Sequence, residues 1–343
     1  ANNFFANARG LARPPIRQND FGGVLGGPVL LPRRIFGPLG YDGRNRTFFF
    51  GDYFGIRETR GLTFVNSVPT AKVRAGDFSE YTSLAGAPIR VFDPLSTRLN
   101  PSFNPGAPVS PSNPQFLRNQ FLGNIIPGGS INAVGRNVAG VYPLPNQAGN
   151  FNNYTINANR RVDDNGFNYR VDHRFNNKSS FFFRFSWELF KLIAPQGQAN
   201  CCLPTPPEAA QRFELGPYVA GFQDTRLATQ GGSFNHTYVF KPNLLHELRL
   251  GYAHTNPLTV ASDFGKNAAT SLGIQGINIS LLTSGIPGIN VQDFTGLSGG
   301  PGFLPVNPRQ THYQIDNNFY WTLGRHGVKI GQHYIRRITT PYT

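Results

Sequence analysis

The sequence predicts an all-β protein whose antiparallel strands form a transmembrane β-barrel. Strand-length runs alternate apolar and polar residues, short turns join these runs in pairs, and long stretches without any period separate the pairs. The composition agrees, since only 15% of the 343 residues are charged while Gly (39), Pro (28) and Phe (30) are plentiful. Short turns alternating with long loops are typical of outer-membrane barrels.

Three predicted hairpins carry the alternation, and they lie near residues 162–190, 227–255 and 311–338. In the first, Phe167, Tyr169 and Val171 share one face, while Arg170 and Asp172 lie on the other. A soluble β-sandwich also alternates, but its apolar face seldom opposes so many aromatic residues to charged residues at mid-strand. In a barrel, aromatic girdles meet the membrane interfaces and polar side chains line the interior. The pattern therefore favours a barrel over a sandwich.

The stretches between the hairpins are rich in Pro, Gly, Asn and Ser and lie near residues 67–160, 191–225 and 256–310. Structureless loops of this length would argue against a compact soluble domain. They are expected as the extracellular loops of an outer-membrane barrel. The sequence contains no run of about 20 apolar residues that could span a bilayer as a helix. It also contains no Met, so we expect a piece of a longer protein with any targeting signal upstream.

The net charge of +14 and the isoelectric point near 10.1 would ordinarily suggest a nucleic acid or an anionic surface as partner. The basic residues are dispersed, however. The densest group lies in PRRIFGPLGYDGRNR, residues 32–46, where turn residues surround it and no helix, zinc ligands or RNA-binding signature accompanies it. We therefore expect no nucleic-acid partner, and solvated loops that face an acidic lipid surface.

The stretch NDFGGVLGGPVLL, residues 19–31, contains four glycines in six residues. A phosphate-binding loop would continue with a Lys, a Ser or Thr and a helix N-terminus, and none of these follows. We expect a strand in which the missing side chains let a plug or a neighbouring strand pack closely. A bare, flat patch facing the lumen is the competing interpretation.

No constellation of catalytic or metal-binding residues is apparent. The seven His residues are dispersed, and neither HExxH nor GxSxG occurs. Asp163 and Asp164 in RRVDDNG resemble a turn rather than a carboxylate pair with a proton to move. Cys201 and Cys202 are adjacent, which suits neither a metal site nor a mutual disulfide. We therefore expect no enzyme, no metal and no cofactor, and assign these cysteines no chemistry.

The polar residues of the alternating runs are the candidates for lining the interior of the barrel. By alternation alone they are Arg170, Asp172, Arg174, Arg184, Glu188, Asn235, Glu247, Arg249, Asp316 and Asn318. Two interpretations remain open for them: direct contact with a solute, or a lattice of charges that pair across neighbouring strands. Several aromatic residues of the loops can stack on a ligand or pack loop against loop, namely Tyr81, Phe92, Phe103, Phe116, Phe264 and Phe303.

Seven segments, taken in order, resemble the barrel of Oar-like TonB-dependent outer-membrane receptors over essentially the whole chain. They are NDFGGVLGGPVLL (19–31), RTFFFGDYFGIRE (46–58), VPTAKVRAGDFS (68–79), VYPLPNQAGNFNNY (141–154), YRVDHRFNNKSSFFFRFS (169–186), VFKPNLLHELRLGY (239–252) and FYWTLGRHGVKIGQHYIRR (319–337). The resemblance implies about 22 strands around an N-terminal plug, preceded by a carboxypeptidase regulatory-like domain. It also implies an inner-membrane TonB energising complex that acts through a short N-terminal box.

The chain departs from that family pattern at both ends. It shows no such box, no recognisable plug core and no closing strand that ends in an aromatic residue, and LPRRIFGPLGYDG replaces a tight turn. We therefore expect residues 1–18 to be the end of a plug or a plug-to-barrel linker, and residues 19–343 to be a partial barrel of about eight strands. An open piece of wall is expected over a small complete barrel in which a strand near Phe21 pairs with one near Ile338.

The resemblance implies a receptor in the bacterial outer membrane that binds an extracellular solute and moves it across that membrane. The solute would be too large for a porin, such as an oligosaccharide, a peptide or a metal chelate. The implied partners are outer-membrane lipid and lipopolysaccharide, the solute, and the TonB complex through a plug region absent from this chain. The alternative is a structural or adhesive outer-membrane β-protein, or a small complete barrel, without energised transport.

Overall fold

A computed structural model describes residues 4–8, 10, 12–195, 222–300, 302 and 304–340. Eight long strands form one antiparallel sheet in which neighbours in sequence are neighbours in space. The strands are β1 (Ile16–Pro28), β2 (Thr47–Asn66), β3 (Tyr154–Arg174), β4 (Ser179–Pro195), β5 (Phe222–Lys241), β6 (Leu244–Ala261), β7 (Arg309–Leu323) and β8 (His326–Thr340). The predicted all-β, antiparallel fold is therefore confirmed.

The remaining elements are short and lie in the connections between the long strands. Two-residue strands pair Leu30–Leu31 with Tyr41–Asp42 and Arg98–Leu99 with Phe116–Leu117. The α-helices are Phe4–Ala8, Arg33–Phe36, Ala71–Arg74, Ala133–Val141 and Ala268–Ser271, and short 3₁₀ turns cover Gly37–Leu39, Pro94–Ser96, Leu122–Asn124, Gly128–Ser130 and Leu281–Thr283. No helix in the described part of the chain is long and apolar enough to cross a membrane.

Tight turns connect β3 to β4, β5 to β6 and β7 to β8 at one end of the sheet, where the longer connection 29–46 also joins β1 to β2. Pro242 and Asn243 alone separate β5 from β6, and Gly324 and Arg325 separate β7 from β8. Gly324 has a φ of +59°, which two-residue hairpin turns require and which glycine adopts without a steric penalty. The long connections 67–153 and 262–308 leave the opposite end, where β4 also ends and β5 begins. This asymmetry matches the periplasmic turns and extracellular loops of outer-membrane barrels.

The strands extend beyond the bounds that alternation indicates. The three predicted hairpins near 162–190, 227–255 and 311–338 correspond to residues 154–195, 222–261 and 309–340. The long loops are correspondingly shorter than the predicted 67–160, 191–225 and 256–310, and β1 begins at Ile16, inside the predicted 1–18 segment. The added strand ends carry polar residues on both faces, as in TINANRR (155–161), so backbone pairing continues where the apolar alternation stops.

Asp163 and Asp164 lie within β3, so the prediction of a turn at RRVDDNG is wrong. They pair with Arg57 and Ile56 of β2, respectively, and therefore lie on opposite faces of the sheet. Local sequence suggested a turn because Asp, Asn and Gly dominate such segments. The long-range ladder between β2 and β3 overrides that preference, since twenty consecutive residue pairs form it.

Two of the four clustered glycines lie where β2 approaches β1 most closely. A Cβ on Gly22 would overlap the carbonyl oxygen of Tyr53, and one on Gly26 would lie 3.1 Å from the carbonyl oxygen of Phe49. At Gly23 and Gly27 a Cβ would meet nothing within 4 Å. Close packing against a neighbouring strand therefore explains two of the four positions.

The sheet is open in the part of the chain that the structure describes. β1 pairs with β2 alone and β8 pairs with β7 alone, so the segments around Phe21 and Ile338 do not join. Every residue of β8 is exposed. The open order agrees with the expected partial barrel rather than with a ring closed by β1 and β8.

The main hydrophobic core lies in the loops rather than in the sheet. Val68, Tyr142, Ala268, Ile286 and Leu297 are buried together and combine residues from two long connections. We call residues 67–153 and 262–300 the loop cap. The sequence shows no period here and predicted structureless loops, but these loops bury apolar side chains against each other and against the end of β2.

Candidate functional site

The strand register places all ten predicted lining residues on one face of the sheet, here called the polar face. Arg170 lies opposite Arg184, Asn235 opposite Arg249, and Arg249 opposite Asp316. The other five predicted residues lie an even number of positions from these along the same strands, so they share the face. They are Asp172, Arg174, Glu188, Glu247 and Asn318. That this face lines a path for a solute remains a prediction.

The guanidinium of Arg170 on the polar face is held by both a carboxylate and an aromatic ring. Its Nε and Nη2 donate to the two carboxylate oxygens of Asp172 at 2.8 and 2.7 Å, and its guanidinium lies 4.2 Å from the ring centroid of Phe182. Arg184 donates weakly to Asn168 at 3.4 Å, and Arg174 turns away to Asn177 at 2.9 Å. The two-point contact and the stacked ring fix the Arg170 guanidinium in one orientation.

Glu247 is the centre of a network that joins three strands. Its Oε1 accepts from Nδ2 of Asn235 at 2.9 Å and from Nη2 of Arg249 at 2.8 Å. Its Oε2 accepts from the hydroxyl of Tyr320 at 3.3 Å. On the same face Asp316 accepts from Gln314 at 2.6 Å and also pairs with His333 of the last strand. Glu247, Arg249 and Asp316 therefore each have a charged or polar partner on the polar face.

Glu188 and Asn318 differ from the other predicted lining residues because no hydrogen bond or ion pair joins either side chain to another described residue. On the adjacent strand, Oδ1 of Asp164 is buried and has no hydrogen-bond partner. Asp164 lies two residues from Gly166, which is the direct partner of Glu188, so the two carboxylates are diagonal neighbours on the polar face. The side chains of Glu188 and Asn318 are therefore the predicted lining residues that no described side chain occupies.

The polar face also bears residues outside the ten predicted ones. Alternation assigns Asn168 and Ser186 to it, whereas Asp52, Glu58 and Arg160 were not predicted. Nδ2 of Asn168 donates to Asp52 at 2.8 Å, Ser186 donates to Asn168 at 2.7 Å, and Arg160 pairs with Glu58. The signal was weak because TFFFGDYF in β2 carries aromatic residues on both faces, so its alternation does not identify a polar side. Only the pairing with β3 assigns Asp52 and Glu58 to the polar face.

The opposite face carries an apolar band. On β4 it consists of Phe181, Phe183, Phe185, Trp187 and Leu189, after which Lys191 interrupts it. Nine residues of extended chain span roughly 26 Å, close to the apolar height of an outer-membrane barrel. Beyond this band the same face becomes charged, with Arg57 3.6 Å from Asp163 and Arg226 3.2 Å from Asp224.

Aromatic rings form a belt at the turn end of this apolar face. Phe181 lies 5.6 Å from both Phe175 and Phe234, and Phe240 lies 4.8 Å from Tyr238 and 6.4 Å from Phe319, measured between ring centroids. His173, His236 and His246 interleave with these rings, and each has a hydroxyl or amide partner. We call these rings the aromatic belt, and its position fits the periplasmic interface of a membrane barrel.

The loop cap covers the opposite end of the sheet as one packed unit. The backbone N–H of Thr295 donates to the carbonyl of Ser67 at 2.9 Å, and the hydroxyl of Tyr142 donates to the carbonyl of Thr295 at 2.7 Å. Burial raises the pKa of Tyr142 to about 12. The two long loops are therefore joined through polar as well as apolar contacts.

The predicted ligand-stacking aromatics of the loops divide into buried and exposed groups. Tyr81 packs against Phe78, Phe151 and Phe294, and burial raises its pKa to about 12, so it serves the core of the cap. Phe92 and Phe116 are exposed, whereas Phe103 and Phe264 are half-buried. Phe303, Cys201 and Cys202 lie outside the described residues. Among the residues that the structure describes, no three His, Cys, Asp or Glu side chains come together as a metal site requires.

Comparison with known proteins agrees with this geometry. Residues 1–343 match the family model described as an outer membrane beta barrel domain. Searches of curated proteins and of solved structures found no match. A family match over the whole chain accounts for the two-faced sheet, its apolar band and its short turns, and it indicates a location in the bacterial outer membrane. The chain belongs to the outer membrane beta barrel domain family.

Proposed function

We propose that this chain is part of a TonB-dependent receptor that binds an extracellular solute and moves it across the outer membrane. The observation that carries the proposal is the opposition of the two faces, because one bears all ten predicted lining residues and the other bears the apolar band. Because the apolar band faces lipid, the polar face is turned towards the interior of the barrel. The proposal includes no chemical conversion of the solute.

The energising partner rests on the resemblance of the sequence segments to Oar-like receptors. In such receptors the TonB complex acts through a plug that fills the barrel, and a polar interior is what a plug and a passing solute require. Glu188 and Asn318 support the transport role most directly, because the other charged groups of the polar face mostly pair with one another. A solute that carries a cation or hydrogen-bond donors would suit Glu188 and the nearby Asp164.

The second candidate is a structural or adhesive outer-membrane protein without energised transport. The satisfied network around Glu247 favours it, because three hydrogen-bond donors already occupy that carboxylate. A lattice of this kind stiffens a wall without contacting any solute. The loop cap also offers exposed apolar side chains, such as Leu95 and Leu122, to an adhesive partner.

Growth and uptake experiments separate the two candidates. A deletion strain is complemented with the full-length protein and grown on a panel of polymers, peptides and iron chelates, and uptake of labelled solutes is measured with and without a protonophore. Transport predicts a condition under which the deletion strain fails, and uptake that the protonophore abolishes. If no condition distinguishes the strains and no labelled solute binds the purified full-length protein, the structural alternative replaces transport.

A matched pair of variants tests the polar face itself. Glu188→Gln removes an unpaired carboxylate from the polar face, whereas Asp163→Asn makes the same chemical change on the opposite face. We expect the first variant to change solute uptake several-fold while the second leaves uptake unchanged. Equal uptake by both variants and the wild type would remove the polar face of β4 from the solute path.

A further inference from the structure

At the turn end of the sheet, where the connections 29–46, 175–178, 242–243 and 324–325 lie, basic residues outnumber carboxylates. These connections contain a single carboxylate, Asp42. Eight basic residues lie in these connections or at the adjoining strand ends. Arg44 lies beside Asp42 and Arg174 donates to Asn177, and we call the other six the turn rim: Arg33, Arg34, Arg46, Lys178, Lys241 and Arg325. All six side chains are exposed. Such an excess of one sign attracts an anionic surface.

Within the described residues, no ion pair joins a turn-rim residue to a carboxylate. Asp42 lies 3.9 Å from Arg44, which neighbours the rim and is not part of it. Backbone hydrogen bonds connect the pieces of the rim. The carbonyl of Arg46 accepts from Arg174 N at 2.7 Å, and the carbonyl of Lys178 accepts from Val239 N at 2.7 Å. The six basic side chains therefore lie along the turn end of the sheet, and no carboxylate of the described residues pairs with them.

Apolar side chains accompany the basic ones in the same segment. Ile35 and Leu39 are 76% and 77% exposed, directly beside Arg33 and Arg34. The aromatic belt begins immediately beyond the turns, with Phe175 and Phe240. A soluble acidic protein would match the charge but would leave these side chains in water. The boundary between lipid headgroups and acyl chains matches both features.

We propose that the turn rim binds the phosphate headgroups of anionic phospholipids in the periplasmic leaflet of the outer membrane, while Ile35 and Leu39 contact the acyl chains. The short turns identify this end as periplasmic. Each basic residue near an anionic lipid surface strengthens binding by roughly fivefold at moderate salt, so six residues select such lipids strongly even when their effects add incompletely. The inference is independent of solute transport, and either can fail alone.

Trp321 reports on this site, because it lies on the apolar face three residues before the turn at Gly324 and is 44% exposed. The 343-residue chain with Trp187→Phe retains Trp321 as its one tryptophan. It is reconstituted into phosphatidylcholine vesicles that contain a minor fraction of tail-brominated lipid, either phosphatidylglycerol or phosphatidylcholine. We expect brominated phosphatidylglycerol to quench Trp321 several-fold more strongly, and about 1 M salt to abolish the difference.

Two variants with the same change in net charge show which basic residues cause the preference for phosphatidylglycerol. The rim variant carries Arg33→Gln, Arg34→Gln, Lys178→Gln and Lys241→Gln, and the cap variant carries Arg90→Gln, Arg98→Gln, Arg118→Gln and Arg136→Gln. The proposal predicts that the rim variant alone loses the preference for phosphatidylglycerol. Equal losses in both variants would overturn it, because net charge rather than the rim would then be responsible.

The parent protein decides the question even if a variant does not fold. Equal quenching by the two brominated lipids at low salt overturns the proposal directly. If that result is accompanied by salt-sensitive binding of soluble peptidoglycan fragments, the turn rim contacts the cell wall instead of lipid. A preference for phosphatidylglycerol that high salt does not weaken also contradicts the proposal, since rim charges would then not produce it.

Discussion

The carboxamide of Asn153 pairs with the backbone of Val68 as a neighbouring strand would. Oδ1 of Asn153 accepts from Val68 N at 2.8 Å, and Nδ2 donates to the carbonyl of Val68 at 2.9 Å. Both residues are completely buried. The pair joins the start of one loop-cap segment to its end, and Val68 belongs to the core of the cap. One side chain therefore bridges the two ends of this segment.

We expect Asn153→Ala to loosen the loop cap while the sheet remains intact. The substitution leaves the N–H and C=O of Val68 buried without partners, which costs about 2–4 kcal/mol in total. Hydrogen exchange of peptides from residues 67–79 and 141–155 should accelerate strongly. Asn290→Ala, at an exposed position of the cap, should leave exchange unchanged. Similar exchange in both variants would show that the pairing does not hold the cap together.

Adjacent glycines of β1 should differ in their tolerance of alanine. In Gly22→Ala the new Cβ overlaps the Tyr53 carbonyl and lies 3.2 Å from the Cα of Phe54, so the backbone of β2 must shift. We expect a loss of about 1–3 kcal/mol. In Gly23→Ala the new Cβ meets nothing within 4 Å, so stability should be maintained. Urea unfolding of the two variants measures the difference, and equal midpoints would contradict close packing at Gly22.

Alternation alone was sufficient to divide the residues of the three hairpins between two faces. In β3, Arg170 and Asp172 lie on the polar face as predicted, because a period of two holds wherever one face meets lipid and the other does not. The same rule placed Asn235 and Asp316 on that face without knowledge of the register between strands. Face assignment is a local property, and the sequence contains it.

Features that depend on long-range pairing escaped prediction. Asp164 was assigned to a turn because its neighbours favour turns, yet its ladder with β2 continues through that segment. The core of the loop cap joins Val68 to Leu297, which are far apart in sequence and carry no shared period. Asp52 was missed because aromatic residues flank it on both faces. Such contacts become visible only when strands and loops are placed in space.

An arginine at the centre of the apolar band should destabilise the inserted protein. Phe185 lies mid-band and pairs with Tyr169 and Gly232 on the same face. A charged side chain on the lipid face costs about 2–4 kcal/mol at the bilayer midplane. We therefore expect Phe185→Arg to lower the free energy of unfolding in vesicles by that amount, measured by urea unfolding.

The control for Phe185→Arg places the same residue on the polar face. Thr229 lies opposite Glu188, so Thr229→Arg introduces the charge beside a carboxylate. We expect no more than about 1 kcal/mol of change in either direction. Equal effects of the two arginines would contradict the assignment of lipid-facing and interior faces, and a larger loss in Thr229→Arg would show that the assignment is reversed.

Asp263 should make the stability of the loop cap depend on pH. Its side chain is 1% exposed, Oδ2 accepts from Ile286 N at 2.6 Å, and Oδ1 has no partner. Burial raises the pKa of Asp263 above its ordinary value, against opposing effects of the Ile286 hydrogen bond and Lys266. At pH values between the ordinary and the raised pKa, Asp263 is therefore protonated in the folded cap and ionised in the unfolded chain. The stability of the cap is therefore greatest below the ordinary aspartate pKa of about 3.9 and falls as pH rises through the raised value.

Hydrogen exchange of residues 262–300, followed from acidic to neutral pH and corrected for intrinsic exchange rates, measures this dependence. The corrected opening free energy should decrease with rising pH in the wild type. Asp263→Asn keeps an acceptor for Ile286 N and cannot ionise, so its opening free energy should be nearly constant across the same range. Asp293→Asn, which removes another carboxylate of the cap, should keep the pH dependence of the wild type. A pH dependence that survives in Asp263→Asn would assign the effect to a different group, and a wild-type cap that gains stability with rising pH would contradict the raised pKa.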